Sequence, residues 1–280
     1  EENILVSLKK GDKKIIKRNN KLYKKFSDHI GKIPLVLISP DDRNLIIEGS
    51  ETRRKFIDGI ISQTDKEYLN NLIDYNKTLK QRNALLKMFY DNSESIRKTI
   101  DIYDRQLSSD AQKIYDKRRE FLNEFIPIFK SRYKELSNDK ENVEIKHSSD
   151  ISPDQNLYKL LKNSLEKDLR FQYTTKGIHK DDLNLNLDNF PIKKYGSQGQ
   201  QKTFLIAMKL AQFDYLSKLD SKPILLLDDI FDKLDDTRVK QIINLVNQEK
   251  FNQIFISDTN KTRSENIIKK VNKSYKIFEI

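Results

Sequence analysis

The sequence predicts an α/β head that is interrupted by a helical insertion. Strand-like patterns lie at both ends of the chain, a long stretch with helical spacing lies between them, and only 7 Gly and 6 Pro occur in 280 residues. Because turn-rich β folds need many Gly and Pro residues, this composition favours long solvated helices. We therefore expect a discontinuous head formed by residues 1–64 and 169–280 and a helical arm formed by residues 65–168.

The N-terminal part of the head carries strand and turn signals. Apolar and polar residues alternate over residues 3–8, and Gly11 indicates a hairpin turn into a second strand at residues 14–16. A short helix is expected over residues 21–30. The compact apolar run of residues 35–38 predicts a buried strand.

The middle of the chain has the three-to-four-residue spacing of amphipathic helices. Leucines at this spacing predict one helix that begins near residue 65. An apolar stripe from Ile96 to Phe129 predicts a second helix, with a kink or a break at Pro127. A third helix is expected to begin at Ser152-Pro153-Asp154.

Strand-like alternation returns after the arm. Phe171 and Tyr173 predict one strand, and the leucines at residues 183–187 predict another. A short strand is also expected at residues 143–145, inside an otherwise polar segment. These strands would complete the head around the insertion.

Composition limits the classes of function. Lys and Arg outnumber Asp and Glu by 53 to 42, an excess of 11 that favours a polyanionic partner, nucleic acid first. The chain has no Cys, which excludes a disulfide framework, a thiolate metal site and a cysteine nucleophile. No apolar run approaches the ~20 residues of a membrane helix. We therefore expect a cytoplasmic protein without a membrane partner.

Two basic clusters are candidate DNA contacts. Arg53 and Arg54 lie at a predicted helix start, and Lys117, Arg118 and Arg119 lie among aromatic residues of the second arm helix. An Arg pair can clamp a phosphate, and basic residues interleaved with aromatic ones suit DNA backbones and exposed bases. The alternative for both clusters is a solvated helix face whose cations pair with nearby carboxylates. Composition alone supports that alternative at least as well.

A glycine-punctuated turn at residues 195–202 precedes a strongly periodic helix predicted at residues 203–219. Gly196 and Gly199 let the backbone approach a ligand closely, and Ser197 can cap the helix. The helix N-terminus would present amides and a partial positive charge to a phosphate. The alternative is an ordinary Gly/Ser helix cap.

An apolar run at residues 223–227 ends in Asp228 and Asp229. Ligands of α/β sheets lie beyond the carboxyl ends of the strands. Asp228 can hold Mg²⁺ there, and Asp229 can orient or deprotonate an attacking water. The alternative is a helix N-cap with a solvated neighbour. Finding both the turn and the acids about 30 residues apart favours a nucleotide site.

These motifs resemble those of ABC-type ATPases. The segment Ser197-Gln198-Gly199-Gln200 resembles the signature motif, Leu225-Leu226-Leu227-Asp228-Asp229 resembles the Walker B strand, and Leu234-Asp235 resembles the D-loop. A split head with a helical insertion resembles the SMC branch of this superfamily. Within that branch the sequence is most similar to the RecF family. The similarity lies in the stretch that starts at Gly196 and in the segment Gly177-Ile178-His179-Lys180-Asp181-Asp182-Leu183.

The resemblance implies an ABC-type head that works in pairs, with two copies enclosing two ATP molecules. The signature residues of one copy would contact the γ-phosphate of ATP held by the other; they are Ser197, Gln198, Gly199 and Gln200. Asp228 would support Mg²⁺, Asp229 would position water, and Asp235 would cross the dimer interface. ATP would thus hold together a homodimer on double-stranded DNA. RecF-like proteins act at ssDNA–dsDNA junctions with RecR and RecO and help to load RecA.

Two departures from the family pattern leave the activity open. No Gly-x-x-x-x-Gly-Lys-Ser/Thr P-loop occurs in the chain, and the family carries that loop on a segment N-terminal to Glu1. We therefore expect a truncated chain that binds ATP poorly by itself. Ser257-Asp258-Thr259 stands where many ABC ATPases carry a histidine.

An SMC-like structural head and a nucleotide-silent interaction module remain alternatives, although an arm of about 100 residues is short for a long coiled coil.

Overall fold

The computed structural model describes residues 2–11, 14–88, 94–152, 155–219, 222–229, 253–259 and 274–278, together with residues 244, 251, 265 and 269. The predicted D-loop residue Asp235 lies outside the described residues. Within the described ranges, no helix is both long and apolar enough to span a bilayer.

Helices account for most of the described residues. They are α1 (Asn44–Ile47), α2 (Ser50–Thr64), α3 (Lys66–Lys87), α4 (Glu94–Ser137), α5 (Leu157–Phe171), α6 (Ile192–Tyr195) and α7 (Gln198–Leu216). The long helix α4 packs against α3, α5 and α7.

The described strands form three separate three-stranded sheets. They are β1 (Ile4–Ser7), β2 (Ile15–Arg18), β3 (Lys21–Leu22), β4 (Leu35–Ile38), β5 (Val143–Ser148), β6 (Asp182–Leu187), β7 (Phe190–Pro191), β8 (Ile224–Asp228) and β9 (Ile254–Ser257). The first sheet, β1-β2-β3, and the third, β5-β6-β7, are antiparallel. The sheet β4-β8-β9 is parallel, with Leu35 opposite Ile224 and Asp228 opposite Ser257.

Most elements predicted from the sequence are confirmed. The N-terminal hairpin, the strand at residues 35–38, the arm helices and the strands at residues 143–145 and 183–187 are all present. The strand at residues 35–38 is buried on one face only: Val36 and Ile38 are buried, whereas Leu35 and Leu37 are about two-fifths exposed.

The helix predicted over residues 21–30 is wrong. Lys21 and Leu22 pair with β2 instead, and the Tyr23 N–H donates to the Ile16 carbonyl at 3.0 Å. Only a single 3-10 turn at Phe26–Asp28 remains. A third strand satisfies the free edge of β2, and this pairing outweighs the helical preference of the segment.

Two further predictions need correction. Of the two outcomes predicted at Pro127, the break does not occur: α4 continues through it, with Phe125 and Phe129 buried on either side, and the kink stays a prediction. Phe171 and Tyr173 do not form a strand. Helix α5 continues through Phe171 and ends at Gln172, whose φ of 59° lies in the left-handed region.

The third arm helix begins later than predicted. Asn156 caps α5 by accepting the Lys159 N–H at 3.1 Å, so the first helical residue is Leu157. The predicted start at residues 152–154 includes positions 153 and 154, which lie outside the described residues.

Helix α7 lies at the centre of the head. Its side chains are apolar around most of its circumference, and Phe204, Ala207, Met208 and Phe213 are fully buried. A helix of this kind needs cover on several sides. The described cover comes from α4 on one side and from the parallel sheet, through β4, on another. This packing fixes the direction in which the α7 N-terminus points.

Candidate nucleotide-binding site

Helix α7 starts with a complete capping box at the predicted signature residues. The Gln200 N–H donates to Ser197 Oγ at 3.2 Å, and the Ser197 N–H donates back to Gln200 Oε1 at 2.8 Å. This reciprocal pair satisfies two backbone donors at the helix start. The first N–H groups of the helix, those of Gln198 and Gly199, have no acceptor within the helix itself.

The Ser197 hydroxyl can still donate a hydrogen bond while it caps the helix. It serves as an acceptor for Gln200, whereas a hydroxyl also carries one proton to donate. A phosphate oxygen beyond the helix end could therefore accept hydrogen bonds from both the Ser197 hydroxyl and the Gly199 N–H. The helix dipole adds a partial positive charge at the same point.

Gly196 is required by close packing. A Cβ at Gly196 would lie 2.8 Å from the Ile192 carbonyl oxygen and 2.7 Å from the Ile192 side chain. The buried Gln201 side chain completes the turn by donating to the Gly196 carbonyl at 3.0 Å. The glycine thus lets α6 run directly into α7.

Glu141 holds the signature glutamine from the side of the arm. Gln200 Nε2 donates to Glu141 Oε1 at 3.0 Å, and the Tyr133 hydroxyl of α4 donates to Glu141 Oε2. Since Gln200 also accepts from Ser197, its amide is held at both ends. Sequence analysis missed Glu141, which lies about 60 residues from the motif in a polar segment without a pattern of its own.

Asp228 and Asp229 lie at the carboxyl end of β8, as predicted. Ser257, at the end of the neighbouring strand β9, donates its hydroxyl to Asp228 Oδ1 at 2.6 Å. The Asp229 N–H donates to the Ser257 carbonyl at 3.0 Å, and Asp229 has a φ of 45°. Asp tolerates this left-handed conformation better than most residues.

A side-chain contact joins helix α7 to the end of strand β8. Lys202, in the second turn of α7, donates from Nζ to the Asp229 carbonyl at 3.4 Å. Asp228 is exposed, so its carboxylate is open to a ligand. The structure therefore brings together the two elements that the sequence selected.

The residues at this edge fit a magnesium ion shared with a nucleotide. Asp228 offers a carboxylate and Ser257 a hydroxyl oxygen, and no group of three or more His, Cys, Asp or Glu ligands occurs in the described part of the chain. Mg²⁺ needs only one or two protein carboxylates when phosphate oxygens and water supply the rest. An all-protein metal cage is not needed for that chemistry.

The predicted DNA contact Arg53 is turned inward. Its Nε and Nη2 donate to both carboxylate oxygens of Asp182 at 2.6 and 3.0 Å, and its Nη1 donates to the Leu45 carbonyl at 3.1 Å. Arg54 is half-buried and donates to the Asp181 carbonyl at 2.6 Å. Burial, followed by the charge of Arg118, lowers the pKa of Arg54. These arginines thus join α2 to the segment before β6.

Arg118 is buried at the centre of a second network. Its Nη2 donates to both oxygens of Asp58 at 2.9 and 3.0 Å, and its Nη1 donates to Asp181 at 2.8 Å and to the Ile178 carbonyl at 3.0 Å. Only 1% of Arg118 is exposed. Burial opposes its charge and is the largest single influence, but Asp58, Tyr68 and Asp181 together outweigh it, and the pKa of Arg118 is raised. Its guanidinium is fully engaged by internal acceptors.

The other two residues of the arm cluster face solvent. Lys117 pairs with Glu120 at 2.9 Å on the helix surface, and the Arg119 guanidinium lies 5.8 Å from the centre of the Tyr115 ring. Both side chains are exposed. Three neighbouring basic residues of one helix therefore have two different roles, and only Lys117 and Arg119 have access to a phosphate.

A third arginine network was not predicted from the sequence. Arg82 of α3 is fully buried and donates to Asp104 at 2.6 Å, to Asp168 at 2.8 Å and to Thr174 at 2.8 Å. Burial raises the pKa of Asp104, although Arg82 opposes the effect. One signal was present: Arg82 occupies an apolar-face position of α3, between Leu79 and Leu86.

His179 is locked in one neutral form by its two partners. Its Nε2 lies 3.0 Å from the Thr174 carbonyl, which can only accept, so its Nδ1 accepts from the Tyr75 hydroxyl at 2.7 Å. Burial lowers the pKa of His179 to about 4, against the raising effect of the Thr174 hydrogen bond. Gly177 makes room for this pair, since a Cβ there would lie 2.6 Å from the Tyr75 oxygen.

Comparison with known proteins gives relatives that match the whole chain. The DNA replication and repair protein RecF of Flavobacterium johnsoniae is 55% identical over 280 residues, which are 100% of this chain and 78% of the relative. The RecF protein of Phocaeicola vulgatus is 49% identical over 281 residues, or 100% of this chain and 75% of the relative. No protein-family model matches the chain.

A solved structure of the recombination mediator protein RecF with ATP, from the RecFOR pathway, has the same fold. It is 30% identical, has a TM-score of 0.82 and covers 93% of this chain and 71% of its own. This likeness confirms the predicted fold class, an α/β ABC-type ATPase head with an inserted helical arm. The chain belongs to the RecF family of DNA replication and repair proteins.

Proposed function

We propose that this chain forms the paired head of an ATP-dependent, DNA-binding RecF ATPase. The α7 N-terminus of one copy would meet the γ-phosphate of ATP held mainly by a second copy. The observation that carries the proposal is the capped start of α7 at Ser197, on the same helix whose Lys202 donates to the carbonyl of Asp229 at the end of β8. It is supported by a RecF relative whose structure was solved with ATP.

The start of α7 supplies hydrogen-bond donors in this proposal. The Ser197 hydroxyl and the Gly199 N–H would donate to γ-phosphate oxygens, while Gln200 stays bound to Glu141 and keeps the helix start in position. Because the dipole and the N–H groups are fixed before ATP arrives, little ordering is needed on binding.

The acids at the end of β8 would act on the chain's own nucleotide. Asp228, supported by the Ser257 hydroxyl, would hold Mg²⁺, which would neutralise phosphate charge when bound. Asp229 would orient the attacking water and take up its proton. Asp235 would cross the interface between the two heads, as the family pattern implies.

DNA would be held through its phosphates by exposed cations of the arm. Lys117 and Arg119 are the residues we assign to this contact, with Arg54 as a partly buried third. Arg53 and Arg118, proposed from the sequence alone, act through internal carboxylates and stabilise the fold instead. Phosphate contacts carry no base readout, so this grip would be independent of sequence.

The proposed setting is recombinational repair in the cytoplasm. The dimer would sit at ssDNA–dsDNA junctions or gaps, with RecR and RecO as partners, and would assist RecA loading. Residues 1–64 and 169–280 would form the ATPase head and residues 65–168 the arm. Contact between α4 and α7 would let the arm sense closure of the head.

Retention of DNA tests this proposal. A protein that carries both a P-loop and this chain should retain duplex DNA at low salt only when ATP is present. The double variant Lys117→Gln/Arg119→Gln should lose most of this retention, while Lys55→Gln, which removes an exposed cation of α2, should not. Retention that does not depend on ATP in the wild-type protein would contradict the proposal.

A further inference from the structure

Two aromatic rings stand exposed where the chain leaves helix α5. Phe171 is 46% exposed and Tyr173 is 44% exposed, and their ring centres lie 5.8 Å apart with 35° between the ring planes. Burying such a ring against a ligand is favourable because it removes apolar surface from water. Exposed side by side, the two rings form a surface of the kind that ligand-binding sites use.

Each ring carries a cation of its own. The Arg170 guanidinium lies 6.0 Å from the centre of the Phe171 ring, and Lys180 Nζ lies 5.0 Å from the centre of the Tyr173 ring. Among the described residues, neither Arg170 nor Lys180 forms an ion pair with a carboxylate. Their charges are thus available to an anionic ligand that also has a flat apolar part.

The loop that carries the rings is anchored from below. Asn83 Oδ1 accepts from both the N–H and the hydroxyl of Thr174, at 2.8 and 2.7 Å. Asp168 accepts from both the N–H and the hydroxyl of Thr175, at 2.9 and 2.6 Å. The buried Arg82 binds Asp168 and Thr174 together. Three buried or half-buried side chains, those of Asn83, Asp168 and Arg82, therefore hold two residues of this loop in one shape.

From this arrangement we propose that Phe171 and Tyr173, flanked by Arg170 and Lys180, form a stacking platform for unpaired bases of single-stranded nucleic acid. An unpaired base can stack its π-face on the rings, and the phosphates of the strand can pair with the two cations. Sites that bind single strands without sequence preference combine these two features. A duplex, whose bases are already stacked, would gain only the charge contacts.

The platform extends the proposed function at a junction. Lys117 and Arg119 would hold the duplex arm through phosphates, whereas the platform would hold the single-stranded arm through its bases. The inference rests on the DNA-binding part of the proposed function but not on ATP. Its test therefore uses the 280-residue chain without nucleotide.

Tryptophan fluorescence tests the platform directly. The chain has no Trp, so Phe171→Trp introduces a single indole at the platform. A 20-nucleotide oligothymidylate should quench this fluorescence to saturation, because a base that stacks on indole quenches it. Phe26→Trp, a matched control at an aromatic residue that is 53% exposed elsewhere, should be quenched little. Equal quenching of both variants would overturn the proposal.

Affinity provides the second measurement. Phe171→Leu/Tyr173→Leu keeps the apolar bulk but removes the π-faces, and it should weaken oligothymidylate binding by tenfold or more in anisotropy titrations. Binding of a 20-base-pair duplex should change less than twofold. The control Phe26→Leu/Phe190→Leu should leave both affinities unchanged. Equal loss for single strand and duplex, or no loss for either, would overturn the platform while leaving ATP-dependent retention of duplex DNA intact.

Discussion

The open edge at the α7 N-terminus and the buried cluster around Arg118 are both dense in polar groups, but they differ in what remains unsatisfied. At the edge, the Asp228 carboxylate is exposed, and the Ser197 hydroxyl can still donate a hydrogen bond to a ligand. Around Arg118, Asp58, Asp181 and the Ile178 carbonyl already accept hydrogen bonds from the guanidinium. Polar density therefore marks function only where the groups still have bonds to make.

Neighbouring residues of α4 show the same contrast most sharply. Arg118 is buried between two carboxylates, and Arg119, the next residue, is exposed beside Tyr115. A helix advances 100° per residue, so adjacent side chains face different surroundings. A basic cluster in a sequence is thus divided by the fold into a structural part and an accessible part.

The largest effect should come from breaking the buried cluster. Arg118→Met leaves Asp58 and Asp181 buried without their counter-charge, and we expect the free energy of unfolding to fall by about 3–5 kcal/mol. The neighbouring change Arg119→Met should stay within about 0.5 kcal/mol. Urea unfolding followed by far-ultraviolet circular dichroism measures both. Similar losses for the two variants would remove the contrast between them.

A smaller effect is expected from titrating His179. Its pKa is lowered to about 4 in the folded chain against 6.5 for the free side chain, so between these values the unfolded chain binds more protons. Stability should therefore fall as the pH drops from 6.5 towards 4. The difference of about 2.5 pKa units corresponds to roughly 3–4 kcal/mol, at about 1.4 kcal/mol per unit.

The variant His179→Gln isolates this contribution. Gln cannot titrate, so the slope of unfolding free energy against pH between 4 and 6.5 should become flatter than in the wild-type chain. The matched control is His29→Gln, which removes a half-buried histidine whose Nδ1 lies 3.4 Å from the Tyr23 hydroxyl, and the slopes of the two variants are compared. An unchanged slope for His179→Gln would show that this residue is not buried in its neutral form.

The smallest effect concerns the support of the signature glutamine. Glu141→Ala removes the acceptor of Gln200 Nε2 and loosens the start of α7, and a charge-assisted hydrogen bond is worth about 1.5–3 kcal/mol. We expect ATP-dependent dimerisation of the P-loop-containing protein to weaken about tenfold by light scattering. Glu144→Ala, which removes a surface ion pair with Lys146, should weaken it less than twofold. If both variants weaken dimerisation equally, the cause is the loss of a negative charge and not the loss of the Gln200 hydrogen bond.

The same comparison explains what could be predicted from the sequence. The residues of the open edge lie between Ser197 and Asp229, in one turn–helix–strand unit whose local patterns are strong. The partners of Arg118 lie 60 and 63 residues away, and nothing in a local pattern joins them. Tertiary pairing of this kind is invisible until the helices are packed.

Short patterns failed for a related reason. Phe171 and Tyr173 are spaced like strand residues, but two positions cannot distinguish a strand from a helix end with a left-handed cap at Gln172. Their exposure became clear only when the Arg82 network placed the loop. Two residues predicted to lie in a strand thus form an accessible surface instead.

The most direct test of the central claim is the mass of the P-loop-containing protein in sedimentation velocity, with and without ATP. The substitution Ser197→Arg blocks the α7 N-terminus, and Ser217→Arg places the same side chain at the exposed C-terminal cap of α7. We predict that ATP converts the wild-type protein and Ser217→Arg to dimers, while Ser197→Arg binds ATP but stays monomeric. ATP-dependent dimers of Ser197→Arg would contradict the account.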